Sequence, residues 1–128
     1  MKKIGILLFL CLPWVLKAQT YQQLSEKAIE CIEHDSLQQA ENYLVRALKL
    51  EPKNERNALL FSNLGLVQRR MGEYDKALES YSFALNFAPL AVPILLDRAA
   101  IYMEMGQTDK AYTDYCMGMR TRRTRRRF

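Results

Sequence analysis

Apolar side chains recur at helical spacing on both sides of Gly72. Upstream, the run from Leu59 to Val67 places them three or four positions apart, and downstream the run from Tyr74 to Leu85 does the same. Residues at those spacings share one face of an α-helix, so each run predicts an amphipathic helix. Glycine readily adopts the left-handed conformation that ends a helix, and Gly72 therefore predicts a turn between two packed helices.

The same helix–turn–helix pattern is repeated along the chain. A shift of thirty-four residues aligns Gly72 with Gly106. A shift of thirty-seven residues in the other direction aligns Pro89 with Pro52, and the three extra residues fit a longer turn. Self-similarity at this period is typical of a stacked repeat architecture. The chain therefore divides into three units, at about 21–54, 58–91 and 92–125.

Helix boundaries and close contacts can be predicted from single residues of the middle unit. Asn57 is expected to cap the start of its first helix, because an Asn side chain can accept a hydrogen bond from a free amide there. Pro89 is expected to end its second helix, and Pro93 to lie in the first turn of the next helix, where its missing N–H costs nothing. Gly65 marks a close approach of two helices, with Tyr81 filling the space opposite.

At these positions the middle unit resembles a tetratricopeptide repeat (TPR). The residues that carry the resemblance are Phe61, Leu64, Gly65, Gly72, Tyr74, Ala77, Tyr81, Ala84 and Pro89. The third unit matches at Ala99, Tyr102, Gly106, Ala111 and Tyr115, and the first unit mainly in its second helix, at Ala40, Leu44, Ala47, Leu48, Leu50 and Pro52. The pattern departs from the family at Gln68, where an aromatic residue is usual, and at Gly118, where alanine is expected.

The resemblance implies an all-α fold, a right-handed α–α superhelix of three TPR helix pairs that covers residues 21–120. One unit cannot bury its apolar face alone, so neighbouring units stack and share a core. In this family the first helix of each pair lines a concave groove that commonly binds a peptide or helix of a partner. The implied function is a non-catalytic protein–protein interaction module, although a fold does not identify its partner.

The family's groove positions, transferred to this chain, predict a partner-binding groove formed by Ser25, Ile29, Leu59, Ser62, Leu66, Arg69, Arg70, Leu96 and Met103. TPRs that hold a C-terminal carboxylate use lysines and asparagines there, and this chain has Ser25 and Leu66 instead. An apolar groove beside Arg69 and Arg70 fits an amphipathic helix or apolar peptide with some acidic residues. Two plainer interpretations remain open: Ile29, Leu66 and Met103 are inter-repeat core, and the arginines are a solvated helix end.

The last predicted helix has an apolar surface beyond its core face. Solenoids normally end in a helix with a polar outer face, but here that surface carries Tyr112, Cys116 and Met119. Either a partner or a second copy of the chain packs there, or the chain is a shortened relative of a longer array. These three residues form a candidate assembly face. They support an alternative function, a structural or self-assembling element of an envelope complex.

The formal net charge of +5 is concentrated at the two ends of the chain. Residues 1–18 carry three lysines and residues 120–128 carry six arginines, so residues 19–119 have a net charge of −4. A run of like charges predicts a disordered, solvated tail at 120–128. Such a tail can contact an anionic membrane surface or serve no specific role; nucleic acid is a poorly supported partner, because few aromatic residues accompany the arginines.

Residues 1–18 are expected to be a secretory signal peptide. Lys2 and Lys3 precede an apolar run from Ile4 to Leu16, and Ala18 supplies a small residue before the expected cleavage site. Thirteen apolar residues are few for a helix that must cross a bilayer. An uncleaved membrane anchor is the alternative. The protein is therefore expected in the periplasm or cell envelope of a Gram-negative bacterium, and the Ala-Gln junction resembles signal peptides of Bacteroidota.

Few residues in the sequence could support catalysis or bind a metal. The chain has one histidine, His34, which lies beside Asp35 in a predicted turn. Cys31 and Cys116, near opposite ends of the mature chain, are expected to be small apolar residues and not a disulfide or a metal site. The glycines form no phosphate-binding loop. We therefore expect no enzyme activity and no cofactor or metal.

Overall fold

A computed structural model describes residues 19–127 of the chain. Its six α-helices are α1 (Tyr21–Glu33), α2 (Leu37–Leu50), α3 (Asn57–Arg70), α4 (Tyr74–Phe87), α5 (Val92–Glu104) and α6 (Thr108–Arg127). The described residues contain no β-strand. The predicted all-α architecture of three helix pairs is thus confirmed, whereas the predicted signal peptide lies outside the described residues.

Each helix packs against its neighbours in the chain. The contacts within the pairs α1–α2, α3–α4 and α5–α6 are the most extensive, and smaller contacts of α2 with α3 and of α4 with α5 join the pairs. Small residues at the pair interfaces, including Ala28, Ala40 and Ala77, are completely buried. Their size lets the helix backbones approach closely, as expected for stacked units that share one core.

The turns inside the three pairs have nearly the same conformation. Gly72 and Gly106 have φ angles of 79° and 77°, and Asp35 takes the equivalent position in the first pair with φ 57°. In each turn the next residue's backbone N–H bonds back to a carbonyl of the preceding helix, for example from Glu73 to Gln68 at 2.8 Å. Positive φ favours glycine, and Asp is among the side chains that tolerate it best. The predicted Gly72 turn is confirmed.

In the middle pair, Gly65 lies directly against the ring of Tyr81. A methyl group at Gly65 would come within 2.8–2.9 Å of three Tyr81 ring carbons. Real Cβ atoms do not approach other atoms that closely, so only glycine fits this contact without a shift. The sequence-based prediction of a close approach filled by Tyr81 is therefore correct.

In the third pair, an ion pair lies one position before the residues that align with Gly65 and Tyr81. The guanidinium of Arg98 donates two hydrogen bonds of 2.8 Å to the two carboxylate oxygens of Asp114. It also donates to Ser82 Oγ on α4 at 3.1 Å. The Asp114 side chain is only 4% exposed. This paired geometry is among the stronger hydrogen-bond arrangements in proteins, and it fastens α5 to α6.

Two predictions about local structure are wrong. Asn57 does not cap α3: it is its first residue and is completely buried, accepting a hydrogen bond from the Tyr21 hydroxyl (2.8 Å) and donating to the Glu51 carbonyl (2.8 Å). Its side chain therefore joins the first unit to the second.

The arginine tail is helical up to Arg127 and not disordered. An existing helix extends without a new nucleation step, and cations at its C-terminus interact favourably with its dipole.

Candidate protein-binding surfaces

The first helices of the three pairs lie side by side and are linked by polar side chains. Arg56 Nη1 donates to Gln22 Oε1 at 3.1 Å, which links the start of α3 to α1. At the other end of α3, Arg69 pairs with Glu104 of α5. Helices α1, α3 and α5 therefore present one surface, called here the first-helix face. All nine predicted groove residues belong to these three helices.

Apolar side chains from all three helices are exposed on the first-helix face. Ile29 is 43% exposed on α1, Leu59 is 59% exposed on α3, and Met103 is 50% exposed on α5. Core side chains such as Leu44 and Leu95 are 1% exposed. Ile29 and Met103 are therefore not inter-repeat core, which removes that interpretation for these two residues.

The other predicted groove residues are partly buried or charged. Ser25, Ser62, Leu66 and Leu96 are half-buried. The Ser25 hydroxyl already donates to the Tyr21 carbonyl at 2.8 Å, so its proton is not free for a ligand. Leu66 and Leu96 add apolar surface that is less exposed than Ile29, Leu59 and Met103.

The two arginines predicted for the groove differ in their surroundings. Arg69 is bonded to Glu104, and this bond raises the pKa of the arginine and lowers the pKa of the carboxyl group. Arg70 is exposed. An acidic ligand would have to compete with Glu104 for Arg69, whereas Arg70 is open to it. Position in the sequence gave no sign of this difference, which depends on Glu104, thirty-five positions after Arg69.

Two polar groups, one half-buried and one buried, are influenced by the charge of Arg69. Burial raises the pKa of Asp97, and the charge of Arg69 partly opposes that rise. Burial also raises the pKa of the Tyr81 hydroxyl, whose oxygen has no hydrogen-bond partner among the described residues. Sequence analysis missed Asp97 and considered Tyr81 only as a packing residue. One signal was available for Asp97, because it directly follows Leu96, a position that the family pattern assigns to the groove.

The candidate assembly face lies on α6 and is exposed in the structure. Tyr112 is 71% exposed, Met119 is 68% exposed, and Cys116 is a free, exposed thiol. The residues at the same three positions of α4 are Leu78, Ser82 and Leu85, which are half-buried or buried because α5 packs against them. The α6 residues therefore have the surface that a following helix covers in the middle unit.

Arginines continue the α6 surface beyond Met119. An open cavity of about 640 Å³ lies along this stretch and is lined by Cys116, Met119, Arg120, Arg122, Arg123, Arg126 and Arg127. The arginine side chains are exposed, and from Arg120 onward the helix carries no acidic residue. The surface thus changes along α6 from apolar to strongly basic.

Neither a membrane-spanning helix nor a metal cluster is found in the described part of the chain. Among residues 19–127, no helix combines the length and the apolar character needed to cross a bilayer. The same residues contain no group of three or more His, Cys, Asp or Glu side chains placed to hold a metal ion.

Solved structures of other proteins have the same fold. A tetratricopeptide repeat protein from Parabacteroides merdae ATCC 43184 is 39% identical, with a TM-score of 0.77 over 80% of this chain and 40% of that protein. MamA is 24% identical, with a TM-score of 0.82 over 89% of this chain and 65% of MamA. The second TPR of Spaghetti (RPAP3), bound to the HSP90 peptide SRMEEVD, is 15% identical, with a TM-score of 0.72 over 79% of this chain and 91% of that one.

The architecture and these similarities define a class of repeat protein. The described residues form a tetratricopeptide repeat domain, as the sequence pattern predicted. The chain spans less than half the length of the Parabacteroides merdae protein and about two thirds of MamA. No protein-family model and no curated protein matches the chain, and the comparisons indicate no enzyme family.

Proposed function

We propose that the protein is a non-catalytic adaptor that binds a peptide or helix of a partner protein along the first-helix face. The observation that carries this proposal is the exposure of Ile29, Leu59 and Met103 on three successive first helices. Exposed apolar side chains on three neighbouring helices suit a partner segment with apolar anchors on one side. The complex of the RPAP3 TPR with a peptide supports the use of this fold for peptide binding.

The charges on this surface narrow the partner's chemistry. Arg70 is exposed at the C-terminal end of α3, while Arg69 is engaged with Glu104. An acidic residue of the partner near Arg70 would form a partly exposed ion pair, which contributes more to orientation than to affinity. The preferred partner segment is therefore apolar on one side with an acidic residue toward the α3 C-terminus.

Three leucine substitutions test the proposal, with Leu50→Glu as the matched control for Leu59→Glu. Leu59 and Leu50 are 59% and 53% exposed, and only Leu59 lies on the first-helix face. Tagged Leu59→Glu, Leu66→Glu and Leu50→Glu variants should be used to capture proteins from a native envelope extract, with quantitative mass spectrometry. We expect a partner retained by the wild type and by Leu50→Glu but reduced at least tenfold by the other two, since a buried interface anchor contributes about 2 kcal/mol or more. Equal capture by all four proteins would contradict the proposal.

We also propose that the protein acts outside the inner membrane, in the periplasm or cell envelope. Support comes from the sequence of residues 1–18 alone. N-terminal sequencing of the protein recovered from fractionated cells should begin at Gln19. A chain that starts at Met1 and stays in the cytoplasmic fraction would contradict export.

A second candidate function is self-assembly through α6. The exposed Tyr112, Cys116 and Met119 occupy positions that are covered in the middle unit, which favours a protein surface as their partner. Light scattering over a concentration series should show association. A strict monomer at the highest concentration reached would contradict this function without affecting the adaptor proposal.

A further inference from the structure

Six exposed side chains lie along one side of α6, at the spacing found where two helices pack along each other. Asp109, Tyr112, Cys116, Met119, Arg123 and Arg126 alternate three and four positions apart, and all six are exposed. Contacts at this spacing keep one side of a helix against a partner helix over several turns. The set is named the α6 seam below.

Charge is distributed unequally along the α6 seam. Asp109 lies in the first turn, the apolar face lies in the middle, and Arg123 and Arg126 lie in the last turns. Two α6 helices running in parallel would place arginine against arginine. Two antiparallel helices would place the acidic start of each against the basic end of the other, and their dipoles would also be opposed favourably.

We propose that two copies of the protein pair through an antiparallel contact of their α6 seams, related by a two-fold axis. This inference rests on the second candidate function, self-assembly. In the seam register, Cys116 of one copy faces Met119 of the other, and Tyr112 faces Arg123, a cation–π pairing. Asp109 then faces Arg126. Because the contact is isologous, each pairing occurs twice and the assembly closes at two copies.

Stacking of α6 on the first unit of another copy is less consistent with the charges. Helices that follow each other in this array are antiparallel, so such stacking would bring the arginines to the start of α1. The first turn of α1 has no acidic residue, and a helix N-terminus carries partial positive charge. The outer positions Gln23 and Lys27 of α1 are polar as well. The seam of a second α6 complements the arginines better.

The antiparallel contact also offsets repulsion within each α6. Arg122 and Arg126, and likewise Arg123 and Arg127, lie four positions apart and repel each other on one helix. A carboxylate from the second copy near Arg126 reduces that repulsion. The helix end should therefore be better ordered in the pair than in a single copy.

A charge exchange across the seam tests the arrangement. The full chain, its Asp109→Arg and Arg126→Asp variants and the double variant should be compared by sedimentation velocity over a dilution series. We expect each single variant to raise the dissociation constant about tenfold, because two symmetry-related attractions become repulsions. The double variant should restore it to within about threefold of the wild type.

A matched control separates the seam from general effects of charge reversal. Asp75 lies at the same repeat position on α4 as Asp109 on α6, also in the first helical turn. Asp75→Arg therefore carries the same cost to helix stability but lies off the seam. We expect it to leave the dissociation constant unchanged.

The native thiol near the centre of the seam gives an independent test. In a full-length variant with Cys11 and Cys31 replaced by serine, a short bismaleimide should link two copies through Cys116. Further substitution of Cys116 by serine should abolish the product. Stacking of α6 on α1 would keep the two Cys116 residues far apart and give higher oligomers instead.

The outcomes distinguish the arrangement from the function on which it rests. A dimer without the Cys116 link or without rescue by the double variant would overturn the antiparallel seam but leave self-assembly intact. A monomer under all conditions would overturn both. A monomer that binds phosphatidylglycerol vesicles and loses binding on Arg123→Asp would overturn the seam in favour of a membrane surface.

Discussion

The middle and third repeats share one backbone frame but hold their two helices together by different chemistry. In the middle repeat the contact is one of shape, with the Tyr81 ring against Gly65. In the third repeat the contact is one of charge, with Arg98 bonded to Asp114. Both contacts lie near the centre of a helix pair. Arg98 aligns with Leu64, which is next to Gly65 in the sequence, so the repeat frame accommodates a paired charge where the middle repeat has an apolar side chain.

The two contacts should be sensitive to opposite kinds of substitution. A shape contact is disturbed by an added atom, since interiors are close-packed. An ion pair is disturbed by the loss of one member, since the other is left buried without a counter-charge. The following substitutions test this contrast, in order of decreasing expected effect.

The largest effect is expected from Asp114→Ala in the third repeat. The substitution leaves the half-buried Arg98 guanidinium without a counter-charge, with Ser82 as its remaining hydrogen-bond partner. We expect the free energy of unfolding, measured by urea denaturation, to fall by about 3 kcal/mol, the lower end for a broken buried pair. Replacing both members by leucine or methionine should recover most of the loss. If Asp114→Ala changed stability as little as a typical surface substitution, the ion pair would not hold this repeat together.

A smaller effect is expected from an added methyl group in the middle repeat. Gly65→Ala forces the new Cβ against the Tyr81 ring, and overpacking of this kind costs about 1–3 kcal/mol. Gly118→Ala in α6 is the matched control, because its new Cβ would lie 3.6 Å from the nearest atom, in ordinary contact. We expect the control to be more stable than the wild type by about 0.5–1 kcal/mol, since glycine weakens a helix interior. Equal destabilisation by both would show that the Tyr81 contact is not special.

The smallest effect is expected at the exposed ion pair Arg69–Glu104, which contrasts with the buried one. The pKa of Glu104 is lowered in the folded protein by its bond to Arg69. Its contribution to stability is thus present above the usual glutamate pKa and is lost as the pH falls through the lowered value. Solvent screening limits this contribution to about 0.5 kcal/mol. Denaturation measured from pH 7 to pH 3 should show that the free energy of unfolding decreases slightly less for Glu104→Gln than for the wild type. Added salt should remove this difference.

Much of the fold could be predicted because the repeat signature rests on local rules. Gly72 and Gly106 end helices with positive φ, and Pro93 lies in the first turn of α5, as expected from single residues. The N-cap prediction for Asn57 failed because its side chain is used by Tyr21 and Glu51. A preference for helix starts cannot indicate a partner thirty-six residues away.

The candidate surfaces were predictable in position but not in chemistry. Sequence reasoning placed the groove residues on the first helices and the candidate assembly face on the last one. It did not indicate that Arg69 is paired with Glu104, nor that Arg98 is paired with Asp114. One sign was available for the second pair: the same shift that aligns the repeats sets Arg98 on the buried Leu64, where an unpaired charge would be costly.

The turn at Asp35 has a consequence for protein engineering. Among the three turns inside the helix pairs, it is the one that has a residue other than glycine at positive φ. An engineered array of identical repeats should therefore use the turn of the middle unit, which contains Gly72. An array built from the first unit would include the small conformational cost of positive φ at Asp35 in every copy. The total cost would therefore increase with the number of repeats.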